Sequence, residues 1–247
     1  MTTPLLDVRG LSVNYGAVSA LRDVDLAVGQ GEIVAVVGAN GAGKSTLLKT
    51  VSGLLAPVAG EIWFDGESIG GQPAYDVVKK GITLLPEGRE LFRDLSVLDN
   101  LHLGFWPVRK PSSLREERVE KAFEIFPRLK ERAHQRASTL SGGEAQMLGV
   151  ARALMCSPKL LVVDELSLGL APKVVAQLFD VLEEVNAAGT SLLLVEQFVH
   201  LALEHSHRAY VLAKGSVALS GPSSDLLADP AVVASYLGGS TAVTASA

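Results

Sequence analysis

The residues Gly38-Ala39-Asn40-Gly41-Ala42-Gly43-Lys44-Ser45 follow an apolar run and precede a helical pattern reaching about Ser52. Glycines at these positions let successive backbone N–H groups converge on phosphate oxygens, and the opening helix adds its dipole. Lys44 can then reach the β- and γ-phosphates as a point charge, while the Ser45 hydroxyl can ligate Mg²⁺. The candidate nucleotide contacts are therefore Gly38, Asn40, Gly41, Ala42, Gly43, Lys44, Ser45 and the adjoining Thr46. Binding alone is not hydrolysis, which also needs a second metal ligand and a group that handles water.

Leu160-Leu161-Val162-Val163-Asp164-Glu165 can supply both, because four apolar residues bury a strand and leave two carboxylates at its C-terminal edge. Asp164 suits the Mg²⁺ shell. Glu165 points differently and can orient or deprotonate an attacking water. A third motif, Ser141-Gly142-Gly143-Glu144-Ala145-Gln146, begins a helix. Its Ser-x-x-Glu spacing is that of a capping box, and its paired glycines also permit close approach of backbone N–H groups to an anion; the two readings are compatible.

These motifs need a scaffold. Residues 33–37, 160–163 and 192–195 are short Val/Leu/Ile runs of the kind buried on both faces, so a parallel sheet covered by helices is expected. Residues 5–37 read as short strands separated by glycines, with a Gly29-Gln30-Gly31 turn and a further strand pair at 61–69. That opening reads as antiparallel and mixed β. Residues 96–149 turn charged and helical in period, clearest at 114–126, with Pro107 and Pro111 interrupting. Strand signals at 160–164, 191–196 and 209–212 then alternate with a helix at 173–188. The expected fold class is α/β: a phosphate-loop NTPase core with an N-terminal antiparallel β subdomain and an inserted α-helical subdomain. One domain is expected over 1–239, its helical subdomain at about 90–150, followed by a loose small-residue tail at 240–247.

Composition removes other classes. The mean hydropathy is +0.30 with 48% hydrophobic residues, yet no run of about 18 uncharged apolar residues occurs, so the chain is not expected to span a bilayer. The first residues show no secretory pattern, and a cytosolic setting is expected. A net charge of −5 gives no electrostatic reason for nucleic-acid binding, and the basic stretch 128–136 reads as a solvated helix face. Cys156 is the single cysteine, which leaves no internal disulfide and reads as a small core residue. His200, His205 and His207 match no common metal spacing and read as a solvated helix without assigned function.

Taken together, the phosphate loop, Leu140-Ser141-Gly142-Gly143-Glu144 and the Asp164-Glu165 strand end resemble the ABC ATPase family over roughly residues 5–238. The resemblance implies a head-to-tail dimer with ATP between one subunit's phosphate loop and the other's signature, Ser141, Gly142, Gly143 and Glu144. Tyr15 is by itself a strand-end tyrosine that packs locally or stacks on a ligand; the resemblance assigns it to adenine. Glu87 stands where the family usually has a glutamine that contacts Mg²⁺ and water and relays to the membrane partner. Gln197 stands where most members have a histidine touching the γ-phosphate; it can donate a hydrogen bond but cannot carry an imidazolium charge.

Pro86-Glu87-Gly88-Arg89, Leu166-Ser167-Leu168-Gly169-Leu170-Ala171-Pro172, Val195-Glu196-Gln197 and Ser235-Tyr236-Leu237-Gly238 resemble one branch, the ATP-binding subunits of branched-chain amino acid uptake systems. Importers of urea or short amides share much of this pattern. The branch implies ATP and Mg²⁺ as cofactors, with Ser45, Asp164 and Glu87 toward the metal and Glu165 and Gln197 catalytic. Implied partners are transmembrane permease subunits, a second ABC ATPase subunit, homologous or identical, and indirectly a solute-binding protein, on the cytoplasmic face of the membrane. Residues 92–103 are implied to meet the permease. Two other readings remain: a soluble ABC ATPase of repair or translation, against which the single compact cassette without a coiled coil argues, and a phosphate-loop protein of another class, which Gln197 and Glu87 keep open.

Overall fold

In chain order the elements are β1 (Leu6–Tyr15), β2 (Val18–Val28), β3 (Ile33–Val37), α1 (Lys44–Val51), β4 (Ala59–Phe64), β5 (Glu67–Ser68), α2 (Ala74–Lys80) and β6 (Ile82–Leu85). A helical stretch follows as α3 (Val97–Phe105), α4 (Ser112–Ile125), α5 (Pro127–Glu131) and α6 (Gly142–Leu154). The chain then returns to the sheet through β7 (Leu160–Asp164), α7 (Pro172–Ala187), β8 (Ser191–Val195), α8 (Val199–Glu204), β9 (Arg208–Ala213), β10 (Ser216–Pro222) and α9 (Ser223–Ala228). This computed structural model describes residues 3–88, 90–108 and 111–229, so Arg89, the 235–238 motif and the expected tail at 240–247 lie outside the described residues.

Two sheets divide the strands. The first is antiparallel with order β2-β1-β4-β5; the second has order β10-β9-β3-β8-β7-β6. Within the second, β6, β7, β8, β3 and β9 run parallel and only β10 pairs antiparallel, at the edge. Among the opening strands, β1 and β2 make an antiparallel hairpin, and β3 joins the parallel sheet, as its apolar run predicts.

The runs in β3, β7 and β8 are buried at every residue, and their two-residue period sorts them between layers. Val34, Val36, Val162, Leu193 and Val195 face a core shared with α1 and the antiparallel sheet. Leu161, Val163, Leu192 and Leu194 face the opposite core, shared with α3, α6 and α7. α3 lies so close on α6 that a Cβ at Gly104 would sit 2.4 Å from the Arg152 carbonyl oxygen.

Three readings of single residues change. The basic stretch is not one solvated helix face: α5 ends at Glu131, Arg132 pairs with Glu144 at 2.7 Å, and Arg136 bridges Ser96. His207 leaves the helix altogether, since its Nδ1 accepts the Ile33 backbone N–H at 3.0 Å, and His205 stacks on Phe179 and meets Glu183 at 2.7 Å; His200 alone stays solvated, beside Glu204. Cys156 is half-buried rather than a core residue, and its thiol donates to the Gly104 carbonyl at 3.0 Å.

Candidate functional site

Parallel strands put all their C-terminal ends on one edge, and that edge gathers the chemistry. β3 leads into the glycine loop, β6 into Glu87, β7 into Glu165 and β8 into Gln197. Between them lies a cleft of about 510 Å³ lined by Asn40, Gly41, Gly43, Lys44, Ser45, Thr46, Glu87, Glu165 and Gln197, together with Ala20 and Leu168. Sequence reasoning missed the last two, which carry no chemical signal.

The loop holds its shape through glycine conformations that other residues reach at a cost. Gly41 and Gly43 have φ of +79° and +109°, and a Cβ at Gly38 would lie 2.2 Å from the Leu212 carbonyl oxygen. α1 starts at Lys44, so its unpaired N–H groups face the cleft. Lys44 is 5% exposed, and its ammonium donates to the Gly38 and Ala39 carbonyls at 2.9 and 3.3 Å, which pins the charge under the loop.

Opposite, the Ser45 hydroxyl donates to Asp164 at 3.4 Å. Asp164 is buried, and that burial, with the nearby Glu87 charge, pushes its carboxyl above the usual range against the pull of Ser45 and Lys44. Glu165 leaves the strand with φ +48°, a left-handed conformation, and lines the cleft, while its N–H donates to the Val195 carbonyl at 2.9 Å. Burial and then the Glu87 charge also push Glu165 upward, which makes it a stronger proton acceptor. Gln197 is exposed at the cleft wall.

Of the expected site residues, Gly38, Ala42 and Asp164 are not part of the lining although their neighbours are, and two further groups are not brought into this cleft. Tyr15 sits at the tip of the β1–β2 hairpin, 49% exposed and outside the lining. The Ser141 segment also lies outside. Ser141 caps α6: its Oγ accepts the Glu144 N–H and its own N–H donates to Glu144, a complete capping box. Glu144 also accepts from Arg132 at 2.7 Å, and these donors, the Ser141 backbone first, hold its carboxyl below the usual range. A Cβ on Gly143 would lie 2.9 Å from Val174, so this glycine seats α6 on α7. The local reading of the motif is thus fully satisfied while Ser141 and Gly142 remain exposed.

Sequence reasoning also missed a buried pair beside the cleft. Glu196, 1% exposed, accepts the Ser167 hydroxyl at 2.5 Å and the Ser167 N–H at 3.1 Å. A carboxylate directly after the apolar run 192–195 was the available signal.

The chain is similar to known proteins in sequence and fold. The family model described as "ABC transporter" matches residues 21–167. The chain is 45% identical over 235 residues to the high-affinity branched-chain amino acid transport ATP-binding protein BraG of Pseudomonas aeruginosa, covering 95% of this chain and 100% of that one. It is 31% identical to the corresponding protein LivG of Escherichia coli, covering 96% and 99%. Among solved structures, a nucleotide-free ATP-binding cassette from an ABC transporter superposes with a TM-score of 0.83 at 28% identity, covering 94% and 98%. An ADP conformation of such a cassette gives 0.82 at 28% identity, with the same coverage.

Proposed function

The chain belongs to the ABC transporter family as an ATP-binding, ATP-hydrolysing subunit, and we propose that it powers import of branched-chain amino acids. The observation that carries the chemistry is one cleft walled by the phosphate loop and by residues from three other parallel strand ends. Identity across the whole length of BraG supports the solute class.

In this reading ATP binds with its phosphates on the loop from Gly38 to Thr46, neutralised by Lys44 and the α1 N-terminus. The residues fit Mg²⁺: Ser45 at the cleft and the buried Asp164 that it meets offer hard oxygens, too few for an all-protein cage, which suits an ion that shares its ligands with substrate phosphates. Ser45 and Asp164 would hold the ion, with Glu87 beside them, and when bound it neutralises charge on the β- and γ-oxygens. Glu165 orients the water and takes its proton onto a carboxylate oxygen as the γ-phosphoryl group transfers. Gln197 donates an amide hydrogen bond toward the γ-phosphate, and Tyr15 stacks on adenine. The Ser141-Gly142-Gly143 segment, exposed at Ser141 and Gly142, serves the cleft of a second cassette, homologous or identical, in a head-to-tail dimer. Transmembrane permease subunits supply the path and a solute-binding protein delivers the cargo, with this subunit at the cytoplasmic face.

The test is ATP-driven uptake into vesicles carrying the cognate membrane subunits, run with leucine, urea and short amides. Leucine uptake supports the reading; uptake of urea or amides alone rejects the solute class. Glu165→Gln is expected to bind ATP, accumulate ATP-dependent dimers and lose turnover, and retained hydrolysis rejects the base assignment.

A further inference from the structure

Two turns carry the groups that manage the attacking water: the one after β7, from Glu165 to Ser167, and the one after β8, from Glu196 to Gln197. One side chain joins them. The Glu196 carboxylate accepts the Ser167 hydroxyl at 2.5 Å, the Ser167 backbone N–H at 3.1 Å and the Gln197 backbone N–H. Glu196 and Ser167 are 1% and 3% exposed, so water does not compete for these bonds.

A buried carboxylate is a costly way to fill space, and an apolar residue would continue the β8 run at no such penalty. What the charge adds is directional strength: hydrogen bonds to an ionised acceptor are shorter and roughly twice as strong as neutral ones. Here three of them converge from both turns. The backbone link from Glu165 N–H to the Val195 carbonyl, 2.9 Å, closes the same loop from the other side. Glu165 holds a left-handed φ of +48°, a conformation that persists only where its surroundings enforce it.

We propose that Glu196 is a positioning residue that, through Ser167, locks the Glu165 turn and the Gln197 turn into catalytic register. The proposal rests on the reading of Glu165 as the group that takes the proton from water. It separates geometry for hydrolysis from nucleotide binding, because the phosphate loop hangs from β3 and shares none of these bonds.

The test uses the reconstituted transporter with Glu196→Gln, whose amide turns a donor toward donors, and with Ser167→Ala, which removes one hydroxyl. A displacement near 1 Å at a reacting group can cost about 100-fold. The expected result is kcat for ATP lowered about 10- to 100-fold, with the KM for ATP and ATP-dependent cassette dimerisation unchanged. In a Glu165→Gln background, adding Glu196→Gln is expected to slow the residual rate no further. Unchanged kcat in both variants overturns the proposal, as does a joint loss of ATP binding and turnover that tracks a loss of thermal stability. Full hydrolysis by Glu165→Gln alone would instead reject the underlying assignment of the base.

Discussion

Replacing Gly43 by alanine tests whether the phosphate loop is shaped by sterics or merely tolerates glycine. Gly43 is the N-cap of α1, with φ +109° and ψ +2°. An added Cβ would lie 2.6 Å from Leu21 Cδ2 and 2.9 Å from the Ala20 carbonyl oxygen. Leu21 is fully buried, so its methyl has nowhere to swing, and the carbonyl belongs to β2. Backbone strain of this kind costs roughly 1–3 kcal/mol. Overpacking adds about 1–3 kcal/mol, for a total of about 2–6 kcal/mol. Gly41 supplies the control: its φ is +79°, but a Cβ there meets nothing within 4 Å, so only the backbone strain of roughly 1–3 kcal/mol applies. Urea unfolding of both variants, followed by circular dichroism at constant m, is expected to place Gly43→Ala below Gly41→Ala by about 1–3 kcal/mol. Equal losses, or a larger loss at Gly41, would refute the steric account of the loop.

Removing the Ser141 cap should cost about 1 kcal/mol as Ser141→Ala and only a few tenths as Ser141→Gly, read as a fall in Tm of about 2–4 °C for alanine. Cys156 should alkylate slowly with iodoacetamide at pH 8 and at the free-cysteine rate in urea, because burial pushes the thiol up and its proton is held by the Gly104 carbonyl. Glu144 and Glu196 should show opposite pH signatures in thermal melts. Glu144 is held below 4.5, first by the Ser141 backbone, so its stabilisation is complete above that pH and is lost as pH falls through its folded value. The deficit of Glu144→Gln should therefore be largest near neutrality and fade in acid. Burial raises Glu196 above 4.5, so its ionisation penalty grows as pH rises from there through the folded value, and Glu196→Gln should gain on the native chain over that interval. A parallel pH trend in the two variants would show that these environments are misassigned.

What was legible in the sequence follows from physical range. The β3, β7 and β8 runs announce themselves because a strand buried on both faces needs apolar side chains throughout. The glycine loop and the Ser141 cap are equally local: their geometry is set by residues within one turn. The short helices α2, α8 and α9 gave no such notice; their N-caps are Pro73, Phe198 and Pro222, without a capping side chain, and tertiary packing decides them. His207 serving Ile33 across 174 residues, and Glu196 serving Ser167 across 29, obey no period at all.

The same distinction separates the groups gathered by the parallel sheet from the Ser141 segment. Groups gathered by the parallel sheet converge because strand polarity leaves them no other edge. Ser141 and Gly142 stand on a helix from the inserted stretch, exposed, and outside that cleft, although every local demand of their motif is met by Glu144, Arg132 and Val174. Gly142, which a cap does not require, is left exposed, whereas Gly143 packs on Val174. In the proposed head-to-tail dimer, Ser141 and Gly142 would meet the nucleotide held on the phosphate loop of a second cassette. Under that proposal part of the catalytic control lies at the interface, and turnover is expected to depend on the partner's geometry as well as on Glu87 and Gln197.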